Sequence, residues 1–224
     1  MLQSIHAMYG NKIVAPDGII GSVSDFFFDD ETAYIRYLVV RTGTWLLGKL
    51  ILLSSLTISN HRATKSLSVH VRREQIKNSP DIDLSQPISR QMQSRLHSHY
   101  GWPVYWAFSP RTPGDPHLRS TKEIEGYTIQ ARDGKIGKLV DLIADCKLWM
   151  IRYVAVDAQR WMPGKKVLIS PSWFAWVDWN QRELEVDLSR EEIGRAPDYD
   201  PAALIDRQYE KKLYDLYRRP GYWT

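Results

Sequence analysis

Asp25 and Asp141 are the residues whose type and setting best suit acid–base chemistry, and they lie 116 positions apart. General acid–base catalysis needs two titratable groups in one site, with pKa values that their environments separate. The two aspartates instead occupy equivalent positions of two similar segments, so the sequence does not place them in one cleft. A carboxylate at a turn or strand end commonly accepts hydrogen bonds from backbone N–H groups. We therefore expect both aspartates to have that structural role.

The histidines and the single cysteine do not form a pattern for metal binding or nucleophilic catalysis. All six histidines lie in the first 117 residues, and His97 and His99 fall two positions apart on a predicted helix, where we expect both to be solvated. Cys146 has no second cysteine for a disulfide or a zinc site, which is typical of a reducing compartment. The sequence contains neither a glycine-rich phosphate loop nor a Gly-x-Ser-x-Gly motif. We expect no enzymatic activity, no cofactor and no metal.

The densest basic stretch runs from residue 61 to residue 77, where Glu74 is the one acid among several cations. Such a stretch is typical of a solvated strand edge that charge protects from pairing, and it also suits a surface for phosphate, RNA or lipid headgroups. Two tryptophans that follow a predicted strand suit either a partner surface or the core, and the core is the favoured assignment. The candidate partner surface comprises Arg62, Lys65, Arg72, Arg73, Lys77, Trp173 and Trp176.

The elements that position these residues occur twice in the sequence. When the chain is shifted by 116 residues, residues 13–54 align with 129–170 without a gap, and after one inserted residue the match continues to PVYW (103–106) and PGYW (220–223). Two copies are too few for a solenoid and indicate a tandem of small domains that pair by pseudo-twofold symmetry. The segment between them has the proline and glycine content of a linker. We predict a first domain at 1–107, a linker at 108–121 and a second domain at 122–224.

Each copy is predicted to be a small β-barrel followed by helices, so the fold class is mainly β with C-terminal helices. Asp-Gly at 17–18 and 133–134 is a strong hairpin signal, and alternating runs of apolar residues indicate strands with one buried face. Near the end of each copy, apolar residues recur every four positions, which indicates a helix with a buried stripe. We favour docking of each helix on the other copy, and we expect the second of these helices to begin at Asp200-Pro201. The two stripes are Ile88, Met92, Leu96, Tyr100 and Ile205, Tyr209, Leu213, Tyr217.

Residues 20–54 and 136–170 resemble the PRC-barrel domain. The similarity rests on Gly-x-x-x-Asp after the hairpin, on the strands that begin with Arg36-Tyr37 and Arg152-Tyr153, and on Trp-x-x-Gly-Lys before a further apolar strand. This domain forms the cytoplasmic β-barrel of the photosynthetic reaction centre H subunit and the C-terminal domain of a ribosome-maturation factor. The resemblance implies a non-catalytic binding or assembly barrel, present here twice. The chain lacks the membrane helix of the H subunit and the different N-terminal domain of the ribosome factor, so neither specific function carries over.

The composition limits which classes of protein the chain can belong to. The chain has 224 residues, of which 43% are hydrophobic and 25% are charged, and this ordinary globular composition excludes a mainly disordered or coiled-coil protein. The net charge of +4 is far from that of dedicated nucleic-acid-binding proteins. We expect a cytoplasmic module that binds or assembles proteins. An RNA- or ribosome-associated factor that uses the basic stretch is the alternative, and association with the periphery of a membrane is compatible with the sequence.

Overall fold

The structure, a computed structural model, describes residues 1–62, 65–80, 82, 88–106, 117–158 and 162–223, and of residues 60–62 it describes the backbone only. The chain is mainly β, which confirms that part of the predicted fold class, and its strands form two seven-stranded sheets. The chain divides into two compact units. We call them the first unit (Met8–Lys122) and the second unit (Met1–Ala7 with Glu123–Thr224).

The strands and helices of the two units have matching orders. In chain order they are β1 (Leu2–Ser4), β2 (Lys12–Ala15), β3 (Gly18–Asp29), β4 (Ile35–Thr42), β5 (Leu50–Ser54), β6 (Ile58–Arg62), β7 (Ser66–Val69), α1 (Arg73–Lys77), α2 (Arg90–Tyr100), β8 (Leu118–Ser120), β9 (Thr128–Ala131), β10 (Gly134–Asp145), β11 (Met150–Asp157), β12 (Lys166–Ile169), β13 (Phe174–Asp178), β14 (Glu183–Val186), α3 (Arg190–Gly194) and α4 (Arg207–Leu216). The first sheet has the strand order β5-β4-β3-β2-β7-β6, and the second has the order β12-β11-β10-β9-β14-β13. One pair in each sheet is parallel, β2 with β7 and β9 with β14.

The predicted Asp-Gly hairpins are present in both units. Asp17-Gly18 joins β2 to β3, and Asp133-Gly134 joins β9 to β10. The two glycines have φ values of 131° and 140°, which side chains rarely allow. Gly21 is needed for another reason, because a Cβ atom there would overlap the carbonyl group of Arg41 on β4. Backbone geometry therefore explains why these residues occur in both repeats.

The seventh strand of each sheet comes from the chain segment that precedes the other repeat. β1 pairs with the end of β10 in the second unit, and β8 pairs with the end of β3 in the first unit. The two pairings have the same register, since Leu2 lies opposite Asp145 and Leu118 lies opposite Asp29. The strand exchange is therefore reciprocal: each repeat contributes its leading strand to the sheet of the other.

This exchange places two segments differently from the sequence-based boundaries. The prediction assigned residues 1–7 to the first domain and residues 118–121 to the linker, whereas Met1–Ala7 belongs to the second unit and β8 belongs to the first. Alignment of the repeats does not reveal such an exchange, because either sheet satisfies the backbone hydrogen bonds of a three-residue strand. Residues 108–116 of the predicted linker lie outside the described residues.

Each long helix packs on the sheet of its own repeat, contrary to the favoured prediction. Leu96 of α2 lies in one buried cluster with Tyr37 of β4 and Leu52 of β5. In the second unit, the ring of Tyr214 on α4 lies 6.4 Å from that of Tyr153 on β11. The N-cap of α4 is Asp206, so this helix begins after the predicted Asp200-Pro201 start, which forms a turn instead. The helices α2 and α4 therefore each stabilise the sheet of their own repeat.

Candidate functional site

Asp25 and Asp141 hold the exchanged strands in place. Asp141 accepts a 2.5 Å hydrogen bond from the Ser4 hydroxyl and a 3.0 Å bond from the backbone N–H of His6. In the first unit, Asp25 accepts a 2.5 Å bond from the Ser120 hydroxyl in the same way. Each carboxylate also accepts the N–H group of the residue that follows it. The two aspartates therefore bind backbone groups in separate units, which matches the structural role expected of them.

The repeated arginines lie against the aromatic segments that end each repeat. The Arg36 guanidinium is 4.1 Å from the centre of the Tyr105 ring, and the Arg152 guanidinium is 3.9 Å from that of Tyr222. Such cation–π contacts contribute about 0.5–2 kcal/mol, more when they are desolvated. Arg36 also lies 3.5 Å from the buried carboxylate of Asp29. These contacts fasten the end of each repeat to its own sheet, so the arginines serve the fold.

A buried polar cluster joins β4 to α2 in the first unit. Tyr37 Oη lies 2.8 Å from His97 Nε2 and 3.3 Å from Gln93 Oε1. His97 Nδ1 lies 2.9 Å from the carbonyl oxygen of Pro103, so a neutral imidazole that donates at Nδ1 and accepts at Nε2 satisfies both contacts. Burial lowers the pKa of His97 and raises that of Tyr37. The expectation that His97 is solvated is wrong, because the buried face of α2 is wider than its four-residue stripe and includes this histidine.

The equivalent cluster of the second unit has a carboxylate in place of the amide. Glu210 is buried, and its Oε1 accepts 2.7 Å hydrogen bonds from the Tyr153 and Tyr222 hydroxyls. Its Oε2 lies 3.0 Å from the Arg207 guanidinium. Burial and the bond to Glu210 raise the pKa of Tyr153 far above its ordinary value. The carboxylate is occupied by three groups of the protein itself, so this cluster stabilises the packing of α4.

Neither Cys146 nor a cavity in the second unit brings reactive groups together. Burial raises the pKa of the Cys146 thiol to about 12, which keeps it protonated at neutral pH. The amine of Lys165 lies 2.8 Å from the Gly194 and Ala196 carbonyl oxygens and 3.1 Å from Asp198, so its donors are engaged. In the described part of the chain, no three His, Cys, Asp or Glu side chains are grouped to hold a metal ion. The cavity has a volume of about 410 Å³ and is lined by Met162, Pro163, Gly164, Lys165 and Asp198.

The basic stretch is divided between two places. Arg62 ends β6, with its side chain outside the described residues, and the exposed Lys65 lies in the turn before β7. Arg72 and Arg73 follow the opposite end of β7, and Lys77 ends α1. β7 has four residues, which at about 3.3 Å per residue span roughly 13 Å. The described cations of this stretch therefore lie at the two ends of β7, Lys65 before the strand and Arg72, Arg73 and Lys77 after it.

Arg73 forms part of a different surface. Its backbone N–H lies 2.9 and 3.1 Å from the two carboxylate oxygens of Asp17 in the β2–β3 hairpin. Its guanidinium lies 4.3 Å from the centre of the Trp45 ring. Trp45 in turn donates a 2.7 Å hydrogen bond from Nε1 to the Ile20 carbonyl oxygen. Two contacts of Trp45 therefore fix the loop after β4 against the hairpin: its ring lies against Arg73, and its Nε1–H group binds Ile20.

This fixed loop exposes a leucine at its tip. Leu47 is 96% exposed and has a left-handed backbone with φ of 55°. That conformation costs a residue with a side chain about 1–2 kcal/mol, and an exposed leucine gains no packing in return. Ile19, the neighbour of Ile20 on β3, is 52% exposed. We call Ile19, Trp45, Leu47 and Arg73 the loop patch.

The second unit repeats the aspartate–arginine contact of the loop patch without its two exposed aliphatic residues, Ile19 and Leu47. Asp133 accepts a 2.8 Å hydrogen bond from the Arg190 N–H, as Asp17 does from Arg73. Lys135 stands at the position of Ile19, and Pro163 stands at the position of Leu47. The apolar tip is therefore a property of the first unit, and motif spacing does not single it out.

The two predicted tryptophans have different environments. Trp173 is 5% exposed, and its ring lies 5.0 Å from those of Tyr214 and Tyr217. It therefore lies in the core, the use that the sequence favoured, and not on an exposed surface. The helical turn after β12 directs Trp173 inward, which the sequence spacing did not reveal. Trp176 on β13 is 41% exposed and is the tryptophan available to a partner.

Comparison with known proteins assigns no family to this geometry. No family model matches the sequence, and a search of curated proteins finds no match either. None of the described helices is long and apolar enough to cross a membrane. The candidate surfaces therefore rest on the structure and on the comparison between the two repeats.

Proposed function

We propose that the chain is a non-enzymatic module that binds or assembles proteins, built as two PRC-type β-barrels in tandem. The strongest support is the way in which the repeats use the polar residues that they share. Asp25 and Asp141 hold strands, and Arg36 and Arg152 hold the aromatic segments. Residues that are engaged by the fold in this way are not available for a reaction with a substrate.

The large exposed apolar residues, in contrast, differ between the repeats. Exposed apolar groups that the fold does not require mark interaction sites when they form patches. Their divergence indicates that the two units present different surfaces, as in an assembly module with distinct contacts. At the equivalent position, the other repeat has a polar, small or proline residue in each case. The exposed residues and their equivalents are Met1/His117, Ile19/Lys135, Leu47/Pro163, Leu56/Ser172, Val104/Gly221, Leu148/Thr32, Trp176/Asn60 and Leu204/Pro87.

The loop patch is the docking surface that we propose for the first unit. Leu47, Ile19 and Trp45 supply apolar area, and the Arg73 guanidinium lies against the Trp45 ring. Aromatic residues and arginine are enriched at protein interfaces, where a few apolar anchors carry most of the binding energy. A partner that covers Leu47 would offset the conformational cost of its left-handed backbone.

An RNA- or ribosome-associated factor is the alternative. Binding to phosphates requires several cations that face the same nucleic acid. Here Lys65 lies at one end of β7 and Arg72 at the other, and the Arg73 guanidinium lies over Trp45. This alternative has the weaker support. It requires RNA binding that falls with salt and with replacement of Arg72 and Arg73, and a titration that shows no binding would end it.

An affinity experiment with the full-length chain tests the proposed function. Leu47→Asn removes the apolar tip, and asparagine tolerates the left-handed backbone. Leu56→Ser is the matched control, because it replaces another exposed leucine, beyond the opposite end of β5, with the residue of the second repeat. From nuclease-treated extracts we expect a defined protein to bind wild type and Leu56→Ser, and about tenfold less of it to bind Leu47→Asn. Equal recovery by all three proteins, or recovery of RNA alone from an extract that is not treated with nuclease, contradicts the proposal.

A further inference from the structure

β13 is an edge strand of the second sheet. It lies at the end of the strand order and pairs with β14 on one side. Among the described residues, no strand pairs with its other side. An edge strand of this kind presents unpaired N–H and C=O groups that accept a further strand. The backbone of β13 therefore offers a site for strand addition.

The side chains beside this edge combine an aromatic ring with a carboxylate. Trp176 is 41% exposed and lies directly opposite Glu185 of β14, so the two side chains share one face of the sheet. In the described part of the chain, the Glu185 carboxylate makes no hydrogen bond or ion pair. The neighbouring Glu183 is engaged, because it accepts a 2.6 Å bond from Gln130 and lies 3.3 Å from Lys135. A cationic side chain fits here, over the ring and against the free carboxylate.

The first unit lacks these features at the same place. The four residues of β13 from Ala175 to Asp178 correspond to Ser59, Asn60, His61 and Arg62 of β6. Polar and basic residues on an edge strand discourage pairing with another chain. The β13 edge has an alanine, a tryptophan and a valine at the first three of these positions, so a charged residue is present only at its last residue, Asp178.

Strand addition is already part of this architecture. β1 and β8 have three residues each, and each joins a longer strand through backbone pairing and hydrogen bonds to an aspartate, among them a serine–aspartate bond. Short strands are therefore sufficient when a side-chain contact fixes their register.

We propose that β13 binds an extended basic segment of a partner protein by strand addition. One arginine or lysine of that segment lies over Trp176 and pairs with Glu185, and this contact sets the register. The inference rests on the proposed function in that the partner is a protein. It concerns a surface of the second unit, separate from the loop patch of the first.

A labelled peptide of alternating valine and arginine, blocked at both ends, tests this site by fluorescence anisotropy with the full-length chain. We expect saturable binding that weakens about tenfold when the arginines are replaced by glutamates. A paired strand directs every second N–H group to its neighbour. Two further peptides are therefore compared, one N-methylated at the valines and the other at the arginines, and only one of them should lose binding. Loss with both peptides, or with neither, would overturn the proposal.

Variants of the protein separate this site from the loop patch. Trp176→Asn introduces the residue of the first repeat at an exposed position, and Glu185→Gln removes the charge with little change of shape. We expect Trp176→Asn to weaken peptide binding about tenfold and Glu185→Gln about threefold, while Leu47→Asn leaves it unchanged. Binding that is indifferent to Trp176→Asn contradicts the proposal. A concentration-dependent dimer that Trp176→Asn abolishes also contradicts it, since a second copy would then occupy the edge.

Failure of this inference and failure of the proposed function are distinguishable. If the peptide does not bind but Leu47-dependent capture of a protein persists, the β13 site is refuted and the binding module stands. If the peptide binds as described but no protein is captured through Leu47, the loop patch is refuted and the β13 site stands.

Discussion

The Tyr153 hydroxyl donates a 2.7 Å hydrogen bond to the buried carboxylate of Glu210, and this contact joins β11 to α4. The equivalent residue of the first repeat is Gln93, which is also buried. Its amide oxygen lies 2.5 Å from the Tyr105 hydroxyl, but its Nε2 has no hydrogen-bond partner among the described residues. The carboxylate therefore satisfies its surroundings more completely than the amide does.

Glu210→Gln should destabilise the second unit by about 2–4 kcal/mol. The new amide would turn an N–H group toward a tyrosine hydroxyl or toward Arg207. Arg207 would also lose the buried carboxylate with which it pairs. Urea unfolding at neutral pH measures the effect. The reverse exchange, Gln93→Glu, is the control, because it removes an unpartnered amide and should cost less. A larger loss for Gln93→Glu than for Glu210→Gln would contradict this account.

His97 should make the first unit sensitive to acid. Burial lowers the pKa of His97 in the folded state below the ordinary value of 6.5. In the window between the folded-state pKa and 6.5, the unfolded chain therefore binds a proton that the folded chain does not. The contribution of neutral His97 is therefore fully present above pH 6.5 and is lost as the pH falls through that window. We expect the free energy of unfolding to fall more steeply below pH 6.5 in wild type than in His97→Gln. Urea unfolding over a pH series measures both slopes, and equal slopes would refute the prediction.

Asp141→Asn should loosen β1 and leave β8 unchanged. The variant loses the charge that binds the Ser4 hydroxyl and the His6 N–H group, which we expect to weaken the attachment of the strand by about 1–3 kcal/mol. Hydrogen exchange of the β1 amides should accelerate. Asp25→Asn is the matched variant, and it should accelerate exchange in β8 alone. If Asp141→Asn instead affects β8, the strand exchange is disproved.

Leu47→Asn should leave stability unchanged or raise it by up to about 1 kcal/mol. Leu47 is almost fully exposed, so its removal sacrifices no packing, and asparagine tolerates its φ of 55°. Trp45→Ala in the same loop should be destabilising, because it removes the contact with Arg73 and the bond to Ile20. Chemical unfolding of both variants checks the contrast. A loss of more than about 1 kcal/mol for Leu47→Asn would mean that the side chain packs against the protein.

Local features of the fold were predictable because their causes are local. The hairpin at Asp17-Gly18 needs a residue with positive φ, and the glycine in the sequence indicates that residue. The N-cap of α3 is Ser189, whose hydroxyl accepts from the N–H of Glu192, an arrangement that the spacing of the two residues specifies. The apolar stripes located α2 and α4, although the start of α4 is Asp206 and not Asp200.

The candidate surfaces were less predictable because they depend on tertiary contacts. The spacing of Lys65 and Arg72 suggested one basic surface, but the intervening strand separates them. His97 has a polar side chain, yet Tyr37 and the Pro103 carbonyl satisfy it in the interior. Leu47 belongs to an apolar run in the sequence, and only the turn that follows β4 exposes it. Burial and exposure at these positions are set by the paths of neighbouring strands.

The reciprocal strand exchange has a consequence for the order of events during synthesis. The sheet of the first unit has all its strands once β8 has been made, and units of a chain generally fold in the order of their synthesis. β1 is made before every strand of both sheets, but its partner is the end of β10, at residues 143–145. β1 therefore cannot form its native pairing until the whole first sheet has been synthesised.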